Sequence, residues 1–117
     1  MELKTQESQD GINVVALSGR MDIAGTQEIE LRFTNLTASR KGLVAVDLSA
    51  VTFLASIGMR TLVSSARALM NRGGAMALVN PQALVRQALI AAGIDSLIPI
   101  FANIDEASRG LKAAAPG

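Results

Sequence analysis

Six consecutive residues, Leu43-Val44-Ala45-Val46-Asp47-Leu48, restrict the fold more than any other stretch of the chain. An apolar run rich in β-branched residues leaves no face for water, so it reads as a buried strand covered on both sides. Strands of that kind belong to largely parallel sheets, whose crossover helices supply the cover. Helical patterns flank the run. From Thr26 to about Ser39, Ile29, Phe33 and Leu36 recur at helical spacing with Glu28, Glu30 and Arg32 between them, and Arg40-Lys41-Gly42 closes the helix. A second helix runs from about Ile57 to Arg72 and stops at Gly73-Gly74.

The rest of the chain keeps the alternation. Leu3 to Ser8 alternates weakly, and Gln9-Asp10-Gly11 signals a hairpin into the strand Ile12 to Leu17, which ends at Ser18-Gly19. Ala75 to Val79 is a short strand. Asn80-Pro81 then reads as a cap and first turn for a helix with Leu84, Val85, Ala88, Leu89 and Ala92 on one face, ending at Gly93. Leu97 to Phe101 gives a last strand, and its Pro99 suits an edge or a bulge better than a sheet centre. Asn103 caps a final helix through Leu111, and residues 113–117 form a frayed tail. With no internal repeat or linker, residues 1–117 read as one α/β domain: a β-hairpin, then alternating strands and helices, with helices packed on a mostly parallel sheet.

Composition narrows the function. Half of the 117 residues are hydrophobic and 18% are charged, enough apolar material for a core. Eleven Lys and Arg stand against ten Asp and Glu, so no concentrated basic surface for phosphate backbones is evident, and three Phe without Tyr or Trp offer little for base stacking. Direct nucleic-acid binding is not expected. The chain has no Cys and no His, which removes thiolate nucleophiles, Cys-ligated metals, the usual zinc sites and Ser-His-Asp chemistry. No cofactor or metal is expected. Asp105 and Glu106 are adjacent on a helix, where neighbouring side chains diverge, so they make a poor catalytic pair. No run approaches the roughly 18 apolar residues of a membrane span. The polar start, Met1-Glu2-Leu3-Lys4, lacks the pattern of a signal peptide, and a soluble cytoplasmic protein is expected.

The most informative segment runs from Asp47 to Arg60: Asp-Leu-Ser-Ala-Val-Thr-Phe-Leu-Ala-Ser-Ile-Gly-Met-Arg. It leaves the buried strand, crosses a short loop and enters a helix at Ser56. On a helical projection Gly58, Met59, Leu62, Val63, Ala66, Leu69 and Met70 share one side, and Arg60, Ser64, Arg67 and Asn71 the other. Ser56 falls at the N-cap, where its hydroxyl can bond a free backbone N–H. The same place favours a phosphate, and Arg60 one turn on can add a cation. Asp22 reads equally as a turn cap and as an interface residue. Asp47 is expected to bond loop N–H groups. The methionines, Met59 and Met70 among them, read as core filling, and Gly73-Gly74 as a helix stop with no phosphate-loop pattern beside it.

These residues resemble the signature of STAS domains, and most closely that of single-domain bacterial anti-sigma factor antagonists. The family signature runs roughly Asp-aliphatic-Ser, a hydrophobic pair, then Asp-Ser-Ser/Thr-Gly, with phosphorylation on the first Ser after the second Asp. Asp47-Leu48-Ser49, Phe53-Leu54, Ser56 and Gly58 match, as does an earlier Gly-x-aliphatic-Asp element at Gly19-Arg20-Met21-Asp22. Ala55 replaces the usual Asp, and Ile57 a small hydroxyl residue. The resemblance implies partner switching. The unphosphorylated protein binds an anti-sigma factor that is also a serine kinase, which frees a sigma factor; the kinase phosphorylates the antagonist, and a serine phosphatase restores it. Carried onto this chain, Ser56 is the acceptor, and Asp22, Leu54, Ala55, Ile57, Gly58, Met59 and Arg60 form the docking surface. STAS domains also serve as cytoplasmic subunits of membrane transport complexes, without a phosphorylation cycle, and the exposed Ile57 or Met59 could equally pack against a second copy in a weak homodimer.

Overall fold

The structure, a computed structural model, describes residues 1–7, 11–37 and 42–114. Its elements are β1 (Glu2–Glu7), β2 (Asn13–Met21), α1 (Ile23–Thr37), β3 (Leu43–Leu54), α2 (Ser56–Asn71), β4 (Ala75–Val79), α3 (Ala83–Ala91), a 3-10 turn (Ile94–Ser96), β5 (Ile100–Phe101) and α4 (Ile104–Ala114). The strands lie in the order β1-β2-β3-β4-β5. β1 pairs antiparallel with β2, and every other pairing is parallel. This is the mostly parallel α/β sheet that the alternation of elements predicts.

The run at 43–48 is covered on both faces, as its composition requires. Val44, Val46 and Leu48 join one core with Ile29 and Phe33 of α1, Leu62 and Leu69 of α2, and Val85 and Leu89 of α3. Ala45 points the other way and packs with Ile12, Val14, Ala77 and Val79 under Ala107 and Leu111 of α4. Three helices therefore share one face of the sheet and α4 takes the other. Each fully buried Leu, Ile or Phe side chain contributes roughly 1.5–3 kcal/mol of transfer free energy.

Several element boundaries differ from the sequence reading, each for a local reason. β2 does not stop at Ser18-Gly19 but pairs with β3 as far as Met21, and α1 then starts at Ile23, not Thr26. β3 does not end at Leu48. It continues to Leu54 through two register shifts, between the pairs Ala16–Asp47 and Ser18–Ala50 and between Gly19–Val51 and Arg20–Phe53. Each shift sets an extra β3 residue against β2, as a β-bulge does, and bends the strand. Asp47 sits in the first bulge and accepts the Ser49 N–H at 2.9 Å, the local bond expected of it.

Farther along, Asn80 takes a positive φ of 49°, a conformation Asn tolerates, so α3 starts at Ala83 after Gln82 and not at Pro81. On α3 only Val85 and Leu89 are buried; Leu84, expected on the same face, is 76% exposed. The last strand shrinks to Ile100–Phe101 and leaves Pro99 outside it, at the sheet edge. Asn103 caps α4 as predicted, its Oδ1 accepting the Glu106 N–H at 2.9 Å, and the helix runs on to Ala114. The hairpin residues Gln9 and Asp10, the close of α1 at 38–41 and the tail at 115–117 lie outside the described residues.

Candidate functional site

In a parallel sheet the carboxyl ends of neighbouring strands lie side by side, which is where open α/β sheets place their sites. Here that geometry joins two motifs far apart in sequence. Arg20 pairs with Phe53 and Met21 with Leu54. The Ala55 N–H then donates to the Met21 carbonyl at 3.0 Å, fastening the end of β2 to the residue before Ser56. Gly19-Arg20-Met21-Asp22 and Phe53-Leu54-Ala55-Ser56 thus form one ridge, from which α1 and α2 both depart.

Asp22 caps α1. Its Oδ1 accepts the Gly25 N–H at 2.7 Å, and its carbonyl accepts the Thr26 N–H at 2.8 Å. The Gly25 bond holds the Asp22 carboxyl below its ordinary value of 3.8, and Arg20 adds to the effect as a hydrogen-bond and charge partner. Gly25 itself permits the close start of α1, since a Cβ there would strike the Arg20 carbonyl oxygen. The Arg20 Nε lies 3.5 Å from Asp22 Oδ2, and its guanidinium carbon lies 4.5 Å from the centre of the Phe53 ring.

Ser56 is exposed, and its position differs from the expectation in one respect. The N-cap of α2 is Ala55, with φ −89° and ψ 168°, and no side chain caps the helix. Because β3 stays extended through Leu54, the cap falls one residue earlier than the sequence suggests, and Ser56 becomes the first helical residue. Its hydroxyl is therefore not engaged in capping α2. Arg60, one turn on, is exposed, whereas Ala55, Ile57 and Met59 are half-buried. Met59 rests against the core.

Leu54 and Gly58, both expected on the docking surface, are buried. They pack inside the ridge where β2 and β3 end. A Cβ on Gly58 would come within 2.7 Å of the Met21 side chain and 2.8 Å of the Leu54 side chain, so glycine is what lets α2 settle onto the ends of β2 and β3. The helix face also differs. Met70 is half-exposed, while Thr61 and Ser65 are buried on the side facing α1, with the Thr61 hydroxyl 3.5 Å from Glu30 Oε1.

The structure adds residues that the sequence reading did not single out. Phe53 is 41% exposed, Leu84 76% and Ile23 63%, all at the same end of the sheet. Thr52, Phe53, Leu54, Leu84, Val85 and Ala88 line a mainly apolar cleft of about 260 Å³ between the end of β3 and the start of α3. The Gln82 amide ties the two sides by donating to the Ser49 carbonyl at 2.9 Å. No sequence period marks Phe53 as outward, because the bulges reset the alternation. Leu84 lies at the edge of the apolar face that Val85 and Leu89 centre, and the helical period alone does not say that this edge stays open. Among the described residues no cluster of three or more Asp or Glu could hold a metal ion, and no helix is long and apolar enough to cross a membrane.

A family model described as the STAS domain matches residues 4–107. The chain belongs to the STAS family. This STAS domain is 22% identical over 108 residues to the anti-sigma-F factor antagonist RsfB of Mycobacterium tuberculosis, an alignment covering 92% of this chain and 88% of that protein. Among solved structures, it superposes on an anti-sigma factor antagonist from Mycobacterium paratuberculosis with a TM-score of 0.81 and 26% identity, covering 95% of each chain. It also superposes on the Bacillus cell fate determinant SpoIIAA in its phosphorylated form, with a TM-score of 0.69 and 17% identity over 93% of this chain and 98% of that one. The last likeness concerns the fold alone. RsfB and the Mycobacterium paratuberculosis protein are both named as anti-sigma factor antagonists, and the family match spans the ridge that carries Asp22 and Ser56.

Proposed function

We propose that this STAS domain is an anti-sigma factor antagonist whose binding is switched by phosphorylation of Ser56. The observation that carries the reading is the placement of Ser56: an exposed hydroxyl, free of capping duty, on a ridge beside the exposed apolar side chains Phe53, Ile23 and Leu84. The anti-sigma factor docks on that ridge while Ser56 is unmodified, and the sigma factor it held is released. Acting as a serine kinase, it then transfers the γ-phosphoryl group of ATP to Ser56 Oγ. The new O–P bond forms as the bond to ADP breaks, and the hydroxyl proton leaves. A serine phosphatase returns the hydroxyl by hydrolysis.

Physical chemistry gives the switch its size. A standard interface covers about 800 Å² on each partner. A phosphate of charge close to −2 at its centre, without a cation supplied by the partner, is a desolvated and unpaired anion. A penalty of about 3 kcal/mol lowers affinity more than a hundredfold. The fold itself need not change, because the first turn of a helix tolerates an anion.

The test is a pull-down with the unmodified protein and Ser56→Glu as parallel baits, the captured proteins being identified by mass spectrometry. Recovery of an anti-sigma kinase by the first bait and its loss from the second is the expected result. Equal recovery of a transport ATPase by both would make the domain a subunit of a transport complex and Ser56 a bystander. A Ser56→Ala protein that still gains phosphate at full rate from the recovered kinase would overturn the assignment of the acceptor.

A further inference from the structure

We propose that Arg20 reads the state of Ser56: it rests over Phe53 in the unmodified protein and is drawn to the phosphate when Ser56 carries one. The inference rests on Ser56 being the modified residue and adds an intramolecular consequence to that event. Its resting contacts are loose ones. The guanidinium lies 3.5 Å from Asp22 Oδ2, at the long end of an ion pair, and the other Asp22 oxygen is already committed to the Gly25 N–H at 2.7 Å. The side chain stays 63% exposed, so its stack on Phe53 and its pairing with Asp22 both compete with water.

A phosphate at position 56 offers what those partners do not: three acceptor oxygens and nearly two charges, suited to the planar fork of a guanidinium. The chain geometry keeps Arg20 near. Arg20 is the register partner of Phe53, three residues before Ser56, and the Met21–Ala55 bond holds the strand end against the residue next to the acceptor. Asp22, which follows on the same ridge, places a carboxylate there, and a guanidinium between carboxylate and phosphate relieves their repulsion. The exchange is purely ionic; no covalent bond beyond the phosphoserine itself is made or broken. Its effect is to uncover the Phe53 ring while the cation leaves the apolar part of the surface. Modification would therefore alter the docking ridge at two points, the added charge at Ser56 and the bared ring at Phe53.

The experiment uses the full chain with phosphoserine installed at position 56 during translation, compared with the unmodified chain by NMR. In the unmodified protein the Arg20 Hδ protons are expected to be shifted upfield by the Phe53 ring, an assignment that Phe53→Leu checks by abolishing the shift. Phosphoserine at 56 is expected to remove that upfield shift, and Arg20→Gln to move the phosphorus resonance. An Arg20 shift unchanged by phosphoserine overturns the proposal. So does a phosphorus resonance that responds to Arg60→Gln and not to Arg20→Gln, since Arg60 would then be the counter-ion. Installing the phosphate without a kinase separates this result from the functional reading, which stands or falls on whether a kinase modifies Ser56.

Discussion

Thr26 lies in the first turns of α1, four residues after the Asp22 cap, and is wholly buried. Its backbone N–H bonds the Asp22 carbonyl, but its hydroxyl oxygen is buried with no hydrogen-bond partner. A desolvated, unbonded hydroxyl costs about 1–3 kcal/mol, whereas an apolar group of the same shape in its place costs nothing comparable. Thr26→Val makes that exchange: both side chains are β-branched, and their helix propensities are close. The substitution should therefore stabilise the domain by about 1–2 kcal/mol, unlike most core changes. For a domain of this size each kcal/mol corresponds to roughly 4 °C, so calorimetry should show Tm rising by about 4–8 °C. Urea unfolding should show a higher midpoint with an unchanged m value, which marks a change in stability and not in the denatured chain. A Tm that stays level or falls would refute the reasoning, because the hydroxyl would then have to be bonded in solution, by a buried water.

Three further perturbations act on the ridge itself. Gly58→Ala gains up to about 1 kcal/mol of helix propensity but forces a methyl against Met21 and Leu54, at about 1–3 kcal/mol, so a net loss of Tm is expected by differential scanning fluorimetry. Asp22→Asn keeps a capping side chain but removes a carboxyl whose folded pKa lies below its ordinary 3.8. A depressed carboxyl contributes stability that is fully present above that ordinary value and is lost as pH falls through the folded one, so the variant should lose less stability than the parent in acid titrations below about pH 4. Ala55→Asp supplies the missing cap of α2 at a residue that already has cap geometry, and should raise stability by about 1 kcal/mol in urea melts.

What the sequence reveals about this fold depends on whether a residue's setting is local. The buried run at 43–48 can have no face but a covered one, and the order of strands and helices follows from periodicities that need no tertiary knowledge. Asp47 and Asn103 make bonds within three residues of themselves, and both are readable for that reason. The far half of β3 is not. Leu48, Val51 and Leu54 are buried at intervals of three, a spacing that a flat strand with its period of two does not give. The two bulges that produce it exist only because β3 runs beside β2. Leu54, expected on the docking surface, turns inward and Phe53 outward for the same cause: nothing in the pair itself says which of two neighbouring apolar residues the second bulge will turn outward. Leu84 is a similar case: it lies at the margin of the face centred on Val85 and Leu89, and only the packing of α3 shows that this margin is exposed.

The departure at position 55 gains a physical meaning from this geometry. The family pattern places an Asp where this chain has Ala55, and the structure shows that residue to be the N-cap of α2, with no side chain bonding the first-turn amides. An Asp there would do two things at once: satisfy a backbone donor and set a negative charge against the residue that follows. Its absence leaves the helix end more electropositive, which favours an added anion at Ser56. It also leaves Asp22 as the carboxylate of the ridge, with Arg20 as its counter-ion. The Ala55→Asp variant therefore separates two contributions that the wild-type chain cannot. If the cap raises stability while phosphoserine at 56 becomes less stabilising than in the parent, charge at the helix end governs how well the modification is tolerated. If phosphoserine is tolerated equally in both, the helix end contributes little, and the cations of the ridge carry the phosphate.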